Sequence, residues 1–371
     1  MSMTRVGIDI SRIAVATRTG TEHYTYELLA AIARLDHVTA YTLYCNRPPV
    51  DLPPSGANVT LRRIPLPRLW THTRLSVEVL RHPPDVLFIP AHVLPLGAPF
   101  VRGMRTVVTI HDLGYLYYPE AHTMAHRVYL RLSTVWSARA ASRLIAVSRA
   151  TRDDLVRLAR VPPAKVAVVH HGLAERFHCS TADPARVQAI VGENRPYFLY
   201  VGTIQPRKNL ARLIEAFAQF VAEGLHPAPS LVIAGKRGWL SDGIARRAAE
   251  LGIADRVHFV GYVADEDLPV LYRGALAFVF PSLYEGFGMP VLEAMACGVP
   301  VLASTTSSLP EVAGDAALLV DPRDTRAIAS GLARLANDAA LRESLRIRGC
   351  QRVAHFTWDR CAEETLRVLL D

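Results

Sequence analysis

The chain repeats one pattern along most of its length: short apolar segments alternate with amphipathic segments of helical period. The apolar segments of the first half are RVGIDI, VTAYTLYC, NVTLRRI, DVLFIPA, RTVVTIHD, RLIAVS and KVAVVH. A second series follows with YFLYVG, SLVIAG, VHFVG, LAFVFPS, PVLAS and AALLVD. Apolar strands separated by helices are typical of parallel sheets that are covered on both faces. The pattern therefore predicts an α/β protein with two doubly wound parallel sheets.

Apolar residues recur every three to four positions between most of these segments, which predicts amphipathic helices. In the first half the predicted helices are 22–35, 71–81, 124–141 and 149–159. In the second half they are 209–223, 242–251, 266–273, 290–297 and 326–336. The chain ends with one more amphipathic helix, HFTWDRCAEETLRVLLD. A helix beyond the last strand has to pack on another element, and we expect it to return to the first half.

The pattern restarts after a polar segment at 174–196, which carries Pro184, Gly192 and Pro196. We expect a linker there, because 371 residues exceed the size of most single cores. The predicted divisions are an N-terminal domain at 1–180, a C-terminal domain at 181–355 and a helix at 356–371 that crosses back to the first domain. Two doubly wound domains that face each other form a cleft, and ligands of such sheets bind beyond the carboxyl ends of the strands.

Composition narrows the class of protein. No apolar run approaches the ~20 residues that span a membrane, and the N-terminus lacks the sections of a signal peptide. Five scattered cysteines without a CxxC pair indicate reduced thiols rather than a disulfide framework or a zinc site. These features predict a cytoplasmic protein.

The net charge of +8 is unevenly distributed. Residues 1–180 contain 22 Lys and Arg and 12 Asp and Glu, so they carry +10 and the remainder carries −2. A basic half attracts nucleic acid, anionic lipid or a phosphorylated substrate. The basic residues are spread singly, so we expect no nucleic-acid partner. Peripheral contact with an anionic membrane at its inner face and a lipid-diphosphate acceptor both fit this charge, as does an arginine-rich composition without function.

A glycine-rich turn follows the segment LAFVFPS and leads into a predicted helix. The residues of this turn are Glu285, Gly286, Phe287, Gly288, Met289 and Pro290. Both glycines can adopt positive φ and admit a ligand close to the backbone, Pro290 suits the first helical position, and the amides of a helix start suit a phosphate. Glu293, one turn further on, has two oxygens that can accept a ribose diol. The pattern predicts a nucleotide-sugar site in which Glu285 binds the second sugar. The alternatives are that Glu285 is a solvated acid in a loop and that Glu293 is a favourable charge in the first turn of the helix.

A second candidate site follows the segment YFLYVG, where Gly202 and Thr203 lead to Arg207 and Lys208. Cations at a helix start are mildly unfavourable. Their presence here therefore indicates a function, and a diphosphate is the group that such cations typically bind. Lys208 is one of only three lysines in the chain.

Two weaker candidates lie in the first half. His111 ends the segment RTVVTIHD, and Gly20 precedes the helix predicted from residue 22. A histidine at a strand end is more often satisfied by its neighbours than functional, whereas a glycine before a helix can bring backbone amides to a phosphate or a sugar.

Two similar motifs are rejected. The turn at 286–291 resembles a dinucleotide fingerprint, but Val291 stands in place of the third glycine and the next strand lacks the ribose-binding acid. Asp265 and Asp267 match a metal-binding D-x-D pattern, yet they are better placed to cap the helix that follows. We therefore expect neither a metal nor another cofactor.

Several segments resemble the large retaining glycosyltransferase family of GT-B fold, known as group one or family four. They are GTEHYTYELLAAI, TIHDLGYLYYPEAH, IAVSRATRDDL, VGTIQPRKNLARLIEAF, LYEGFGMPVLEAMACGVPVLAS and LPEVAGDAALLVDP. The resemblance runs almost the whole length, and the paired glutamates are its most specific feature. GTIQPRKN is most similar to bacterial mannosyltransferases of polysaccharide assembly.

The resemblance implies two Rossmann-like domains facing across a cleft, with a nucleoside-diphosphate sugar held mostly by the second and the acceptor by the first. Carried over by position, Lys208 binds the diphosphate, Glu293 the ribose and Glu285 the transferred sugar. His111 then faces the donor sugar, and Gly20 the phosphate. Two positions depart from the family pattern: many members carry Arg where Thr203 stands, so Arg207 is expected to supply that charge, and His171 replaces the usual Asn.

We therefore expect a metal-independent, retaining hexosyltransferase that acts on a saccharide or lipid-linked acceptor in polysaccharide or glycoconjugate synthesis. Mannose is favoured over glucose and N-acetylglucosamine. The alternatives are a dinucleotide-dependent oxidoreductase, a non-catalytic nucleotide-sugar-binding protein and a GT-B epimerase.

Overall fold

The computed structural model of the chain describes residues 3–13, 20–53, 56–66, 69–118, 124–178, 183–224, 229–236 and 242–371. The chain divides into two compact units: one comprises Met1–Gly172 and Phe356–Asp371, and the other comprises Leu173–His355.

Each unit is built on a parallel sheet. The strands of the first unit are β1 Arg5–Asp9, β2 Ala40–Cys45, β3 Val59–Arg63, β4 Val86–Ile89, β5 Arg105–Ile110, β6 Arg143–Ala146 and β7 Val166–Val168. Those of the second are β8 Tyr197–Val201, β9 Ser230–Ala234, β10 Val257–Gly261, β11 Ala277–Phe280, β12 Val301–Ser304 and β13 Ala317–Val320. Their orders are β3-β2-β1-β4-β5-β6-β7 and β10-β9-β8-β11-β12-β13, with every neighbouring pair parallel.

Helices connect these strands. The first unit contains α1 Gly20–Leu35, α2 Ser76–Arg81, α3 Gly114–Tyr117, α4 Met124–Ala140 and α5 Arg149–Ala159. The second contains α6 Pro184–Val191, α7 Leu210–Ala222, α8 Asp242–Glu250, α9 Leu268–Arg273, α10 Met289–Ala296, α11 Leu309–Ala313, α12 Thr325–Asn337 and α13 Ala339–Val353. The last helix, α14 Trp358–Leu370, belongs to the first unit. The predicted fold class is confirmed, since each apolar segment forms a strand and each predicted helix exists, although 71–81 begins with a π turn at Thr71–Leu75.

The segment predicted as a linker contains α6. Pro184 occupies the first turn of this helix, the Asp183 carboxylate accepts from the amide of Arg186, and Gly192 closes the helix with φ 87°. Proline at a helix start and glycine just past its end are terminating residues of a short helix. The division between the units falls at Gly172 and Leu173, where the close approach of Trp358 leaves no room for a Cβ on Gly172.

The second sheet reverses its strand order between β8 and β11, and the first between β1 and β4. In open parallel sheets the crevice at the carboxyl ends of such a pair of strands is where ligands bind. The loops that follow β8 and β11 are therefore the first place to look for a site.

Candidate active site

The loop after β8 begins with a tight backbone crossing. Gly202 has φ 151°, and a Cβ built on it would lie 2.8 Å from the hydroxyl of Tyr200. Gly235, at the end of the neighbouring strand, packs so closely that a Cβ would overlap the carbonyl oxygen of Gly202. Glycine is required at both positions, and their contact aims the chain after β8 across the strand ends.

Asn209 fixes this loop to the rest of the sheet. The turn Pro206–Lys208 ends at Asn209, which has a left-handed backbone with φ 63°. Its amide nitrogen donates to the carbonyl oxygens of Pro281 (3.0 Å) and Pro322 (2.6 Å), which follow β11 and β13. The two cations just before Asn209 are thereby held beside the loop after β11.

Lys208 and Arg207 share one carboxylate. Nζ of Lys208 lies 2.5 Å from Oε1 of Glu285, and the Arg207 guanidinium lies 3.1 Å from Oε2. The same guanidinium nitrogen donates to the carbonyl oxygen of Tyr284 over 2.9 Å. The structure thus brings three predicted site residues into one cluster of two positive charges and one negative charge.

Glu285 is buried rather than solvent-exposed, with 7% of its surface accessible. Burial by itself raises the pKa of this carboxyl, but the charges and hydrogen bonds of Lys208, Arg207 and Ser282 outweigh it and lower the pKa to about 2. Lys208 also lies 4.8 Å from the ring centre of Phe280, within cation–π range. The Glu285 carboxyl is therefore ionised at neutral pH.

The start of α10 differs in two details from the prediction. Met289 is its first residue, so Pro290 occupies the second position, where an amide hydrogen is equally dispensable. Gly288 has the expected positive φ, 111°, whereas Gly286 does not. Gly286, Phe287 and Gly288 are buried, and Met289 and Pro290 are half-buried.

Three serines that the sequence analysis missed hold this loop in place. The Ser308 hydroxyl lies 2.9 Å from the carbonyl oxygen of Glu285 and 2.7 Å from that of Phe287. The amide of Glu285 donates to the Ser307 hydroxyl, and Ser304 donates to the carbonyl oxygen of Ser282. Serines before a short helix resemble ordinary cap residues, so only the fold could reveal this contact.

Glu293 lies on α10 and is half-buried. Its Oε2 accepts a hydrogen bond of 2.9 Å from the hydroxyl of Tyr272, at the end of α9. Each predicted acid has a buried tyrosine near it: burial and then the charge of Glu285 raise the pKa of Tyr200, and burial and then the charge of Glu293 raise the pKa of Tyr272. The Tyr200 hydroxyl has no hydrogen-bond partner among the described residues.

His111 and Gly20 lie in the first unit. Nε2 of His111 lies 2.7 Å from the carbonyl oxygen of Pro90, which makes Nε2 the protonated nitrogen and Nδ1 the acceptor. Burial, then the nearby His92, lower the pKa of His111 to about 3, so the ring is neutral. Gly20 begins α1 and is exposed, and a Cβ on it would meet no atom of the described residues within 4 Å. Packing against the described part of the chain therefore does not require glycine at this position.

His171 and His92 lie in the same part of the first unit as His111. The ring of His171 lies 4.7 Å from that of Tyr24 and stacks on Trp358 at 6.1 Å. His92 lies 5.5 Å from His111 and has φ 33°, which is rare outside glycine. No motif in the sequence marked His92 as a neighbour of the predicted histidine.

The capping role predicted for Asp267 is wrong, whereas that of Asp265 stays a prediction. Asp267 precedes α9 but makes no side-chain cap. Its carboxylate instead accepts two hydrogen bonds from Arg186 of α6, at 2.8 and 3.0 Å, and Asp265 lies 3.7 Å from Arg176. An ion pair with a guanidinium satisfies more of a carboxylate's lone pairs than a single backbone amide.

Within the described ranges, no group of three or more His, Cys, Asp or Glu side chains is arranged to hold a metal ion. The helices of the same ranges include none that is long and apolar enough to cross a membrane. The expected independence from metal stays a prediction.

Comparison with known proteins identifies the family. A model described as Glycosyl transferases group 1 matches residues 183–352, and one described as Glycosyltransferase Family 4 matches residues 18–175. The chain is 33% identical over 376 residues to the O-antigen chain mannosyltransferase B of Escherichia coli, covering 94% of this chain and 95% of that protein.

Solved structures share the fold. A sucrose-phosphate synthase from Thermosynechococcus elongatus aligns with a TM-score of 0.75 at 22% identity over 98% of both chains. HepE of Anabaena, solved with UDP and glucose, aligns with a TM-score of 0.74 at 18% identity over 99% of both. The chain belongs to the group 1, family 4 glycosyltransferases and has the GT-B fold, as its motifs predicted.

Proposed function

We propose that the protein is a retaining hexosyltransferase that uses a nucleoside-diphosphate sugar. It acts on a saccharide or lipid-linked acceptor in polysaccharide or glycoconjugate synthesis, and mannose is the favoured sugar. The observation that carries the proposal is the Arg207–Glu285–Lys208 cluster at the strand-order reversal between β8 and β11. The similarity to a mannosyltransferase supports the choice of sugar, and the similarity to a protein solved with UDP and glucose supports the class of donor.

The donor's diphosphate binds Lys208 and Arg207 together with the amides at the start of α10. Gly202 and Thr203 bring the backbone after β8 close to the phosphates, and Arg207 supplies the charge that many relatives take from the position of Thr203. The amides of residues 286–289 bind the same group in this proposal, because an anion at such a helix start is favourable. Glu293, being half-buried, receives the ribose hydroxyls.

Catalysis rests on stabilising the leaving group. The bond between the anomeric carbon and the phosphate oxygen breaks with its electron pair on the diphosphate, and the ring becomes oxocarbenium-like. Donors that meet charge as it develops contribute about 10²–10³ each in rate, and Lys208 and Arg207 fill this role. The acceptor oxygen forms the new bond on the same face, and its proton passes to the departing phosphate oxygen. No metal is needed for this step because two side-chain cations supply the charge.

Glu285 orients these cations and binds a hydroxyl of the transferred sugar. A covalent intermediate at Glu285 is disfavoured, because Lys208 binds one of its oxygens and Arg207 the other. A carboxylate with a pKa of about 2 and two cationic partners is a weak nucleophile. The family resemblance assigns His111 to the donor sugar, and its neutral imidazole adds no charge in that role.

A cytoplasmic location with peripheral contact at the inner face of the membrane completes the proposal. The side chains of Val128, Tyr129 and Leu132 on α4 are exposed, and the exposed arginines Arg131 and Arg139 lie on the same helix. Exposed apolar side chains and arginines on one helix favour an anionic lipid surface. Leu132→Glu is expected to weaken cosedimentation with vesicles that contain an anionic lipid, and unchanged binding would remove this part of the proposal.

The function is tested with purified protein and a panel of GDP-mannose, UDP-glucose, UDP-N-acetylglucosamine and NADH. A donor that binds the folded state raises Tm by mass action. We expect one nucleotide sugar to stabilise the protein and to yield an α-linked product with an alkyl mannoside, identified by NMR of the anomeric proton. Stabilisation by NADH alone would favour an oxidoreductase, and binding of a nucleotide sugar without transfer or hydrolysis would favour a non-catalytic protein.

A further inference from the structure

Glu293 is fixed by a tyrosine from a different helix. The hydroxyl of Tyr272, on α9, donates to Oε2 of Glu293, on α10, over 2.9 Å. Tyr272 is fully buried, whereas Glu293 is half-buried. A carboxylate at the surface of the second unit is therefore tied to a donor in its core.

The phenol of Tyr272 is itself immobilised. The centre of its ring lies 6.1 Å from the ring centre of Phe177 and 5.3 Å from that of Phe278, both in edge-to-face arrangements. Burial and the charge of Glu293 raise the pKa of Tyr272, so the hydroxyl stays protonated and remains a donor. The next residue, Arg273, donates to the carbonyl oxygens of Phe177 (3.1 Å) and Cys297 (3.5 Å), which joins the ends of α9 and α10.

A carboxylate needs such an anchor to recognise a diol. The last torsion of a glutamate side chain is broad and has no sharp minimum, so an unanchored carboxylate rotates among many orientations. Two adjacent hydroxyls can both donate to one carboxylate only when its plane is correctly turned. Ordering a free side chain on binding weakens the affinity for a ligand. The hydrogen bond from Tyr272 orders the Glu293 side chain already when the protein folds.

We propose that Tyr272 is a positioning residue that turns Glu293 so that the protein distinguishes a ribose from a 2′-deoxyribose in its nucleotide ligand. The inference rests on the proposed function, because it takes Glu293 to be the ribose-binding acid. A 2′-deoxy ligand offers one hydroxyl instead of two, and it gains little from the preset carboxylate.

Tyr272→Phe removes only the hydroxyl, and Tyr197→Phe provides a matched control. Tyr197 is also buried, and its hydroxyl donates to the backbone oxygen of Leu271 over 2.6 Å, one residue before Tyr272. Both variants lose one buried hydrogen bond, but only one of these bonds reaches Glu293. The dissociation constants of GDP, 2′-deoxy-GDP, UDP and 2′-deoxy-UDP are measured by calorimetry with the full chain.

We expect the wild type to prefer the ribonucleotide. Tyr272→Phe should weaken binding of the ribonucleotide up to about tenfold, because the Glu293 side chain must then be ordered when the ligand binds, and it should leave binding of the deoxynucleotide nearly unchanged. Tyr197→Phe should keep the wild-type ratio. Equal weakening of both nucleotides by Tyr272→Phe, or an unchanged ratio, would overturn the inference and leave the proposed function standing.

Absence of nucleotide binding by the wild type would defeat the proposed function and this inference together. Glu293→Asp serves as a second variant if Tyr272→Phe does not fold. It keeps the charge but withdraws the carboxylate from the Tyr272 hydroxyl by one methylene, and the same loss of the ribose preference is expected. Retention of the preference in Glu293→Asp would count against the proposal.

Discussion

The ammonium nitrogen of Lys208 lies 2.5 Å from Oε1 of Glu285, a residue 77 positions later in the sequence. Only 9% of each side chain is exposed. Removing one member of a buried ion pair typically costs ~3–5 kcal/mol, because the other charge is left uncompensated. Arg207 binds the second oxygen of Glu285, so the carboxylate restrains both cations in one place before a ligand arrives. This preorganisation underlies the first two predictions.

Lys208→Met should reduce kcat/KM by about 10²–10³, because one of the two cations that face the departing diphosphate is lost. The fold should persist, since Arg207 continues to neutralise Glu285. Lys236→Met is the matched control: Lys236 is exposed in the same unit and its ammonium lies over the ring of Tyr262. Transfer of radiolabelled sugar gives the rates. A Lys208→Met enzyme with near-normal kcat/KM would contradict the assigned role.

Glu285→Gln should destabilise the protein in a pH-dependent way. The pKa of this carboxyl falls from an ordinary 4.5 to about 2 in the folded chain, so its contribution to stability is fully present above pH 4.5 and is lost as the pH falls towards 2. At pH 7 this amounts to on the order of 3 kcal/mol. Urea unfolding of wild type and variant at pH 7 and pH 3 measures the difference, which should shrink at the lower pH. A difference independent of pH would argue against the ion pair.

The fold could be predicted from sequence because it depends on local patterns, and the same patterns indicate the candidate site residues of the loops after β8 and β11. Strands show as apolar runs, and the turn before α10 shows as glycines followed by proline. The pairing of Glu285 with Lys208 could not be predicted, since it depends on β8 and β11 being neighbours across the reversal of strand order. The same limit applies to Asp267, for which the sequence predicts a cap: its partner, Arg186, lies on a helix within the segment predicted as a linker.

Ser308→Ala should loosen the loop that carries Glu285. Its hydroxyl is the side-chain donor closest to the carbonyl oxygens of Glu285 and Phe287, at 2.9 and 2.7 Å, and the residue is fully buried. Leaving such groups unsatisfied costs about 1–3 kcal/mol, and KM for the donor should rise because the amides at the start of α10 are less well placed. Ser330→Ala, at an exposed position of α12, should change stability by less than ~0.5 kcal/mol. Calorimetric Tm values and the donor KM are measured for both variants. Equal values for the two variants would rule out that Ser308 holds the loop that carries Glu285.

Gly288→Ala should be poorly tolerated for two independent reasons. Gly288 has φ 111°, and a Cβ there would lie 2.6 Å from Cδ2 of Leu309. Backbone strain of this kind costs on the order of 1–3 kcal/mol. Gly243→Ala is the contrasting change, because Gly243 lies in α8 with an ordinary φ and no atom of the described residues lies within 4 Å of its Cβ position. Alanine should therefore be neutral or slightly stabilising there. Thermal unfolding of both variants gives the comparison, and a stable Gly288→Ala would show that the turn can relax.

His111 should act as a neutral group throughout the physiological range. Burial and the neighbouring His92 lower its pKa to about 3, so between pH 6.5 and 3 the unfolded chain takes up a proton that the folded chain refuses. Stability should therefore fall as the pH drops below 6.5, by about 2 kcal/mol between pH 7 and pH 5 from this ring alone. His111→Gln places an amide where Nε2 donates to Pro90 and should remove this part of the acid sensitivity.

Because the ring does not titrate between pH 5 and 8 in the folded enzyme, His111→Gln should lower kcat without changing the shape of the pH–rate profile in that range. Loss of an ionisation from the profile in the variant would mean that His111 carries a proton during the reaction and that the neutral assignment is wrong.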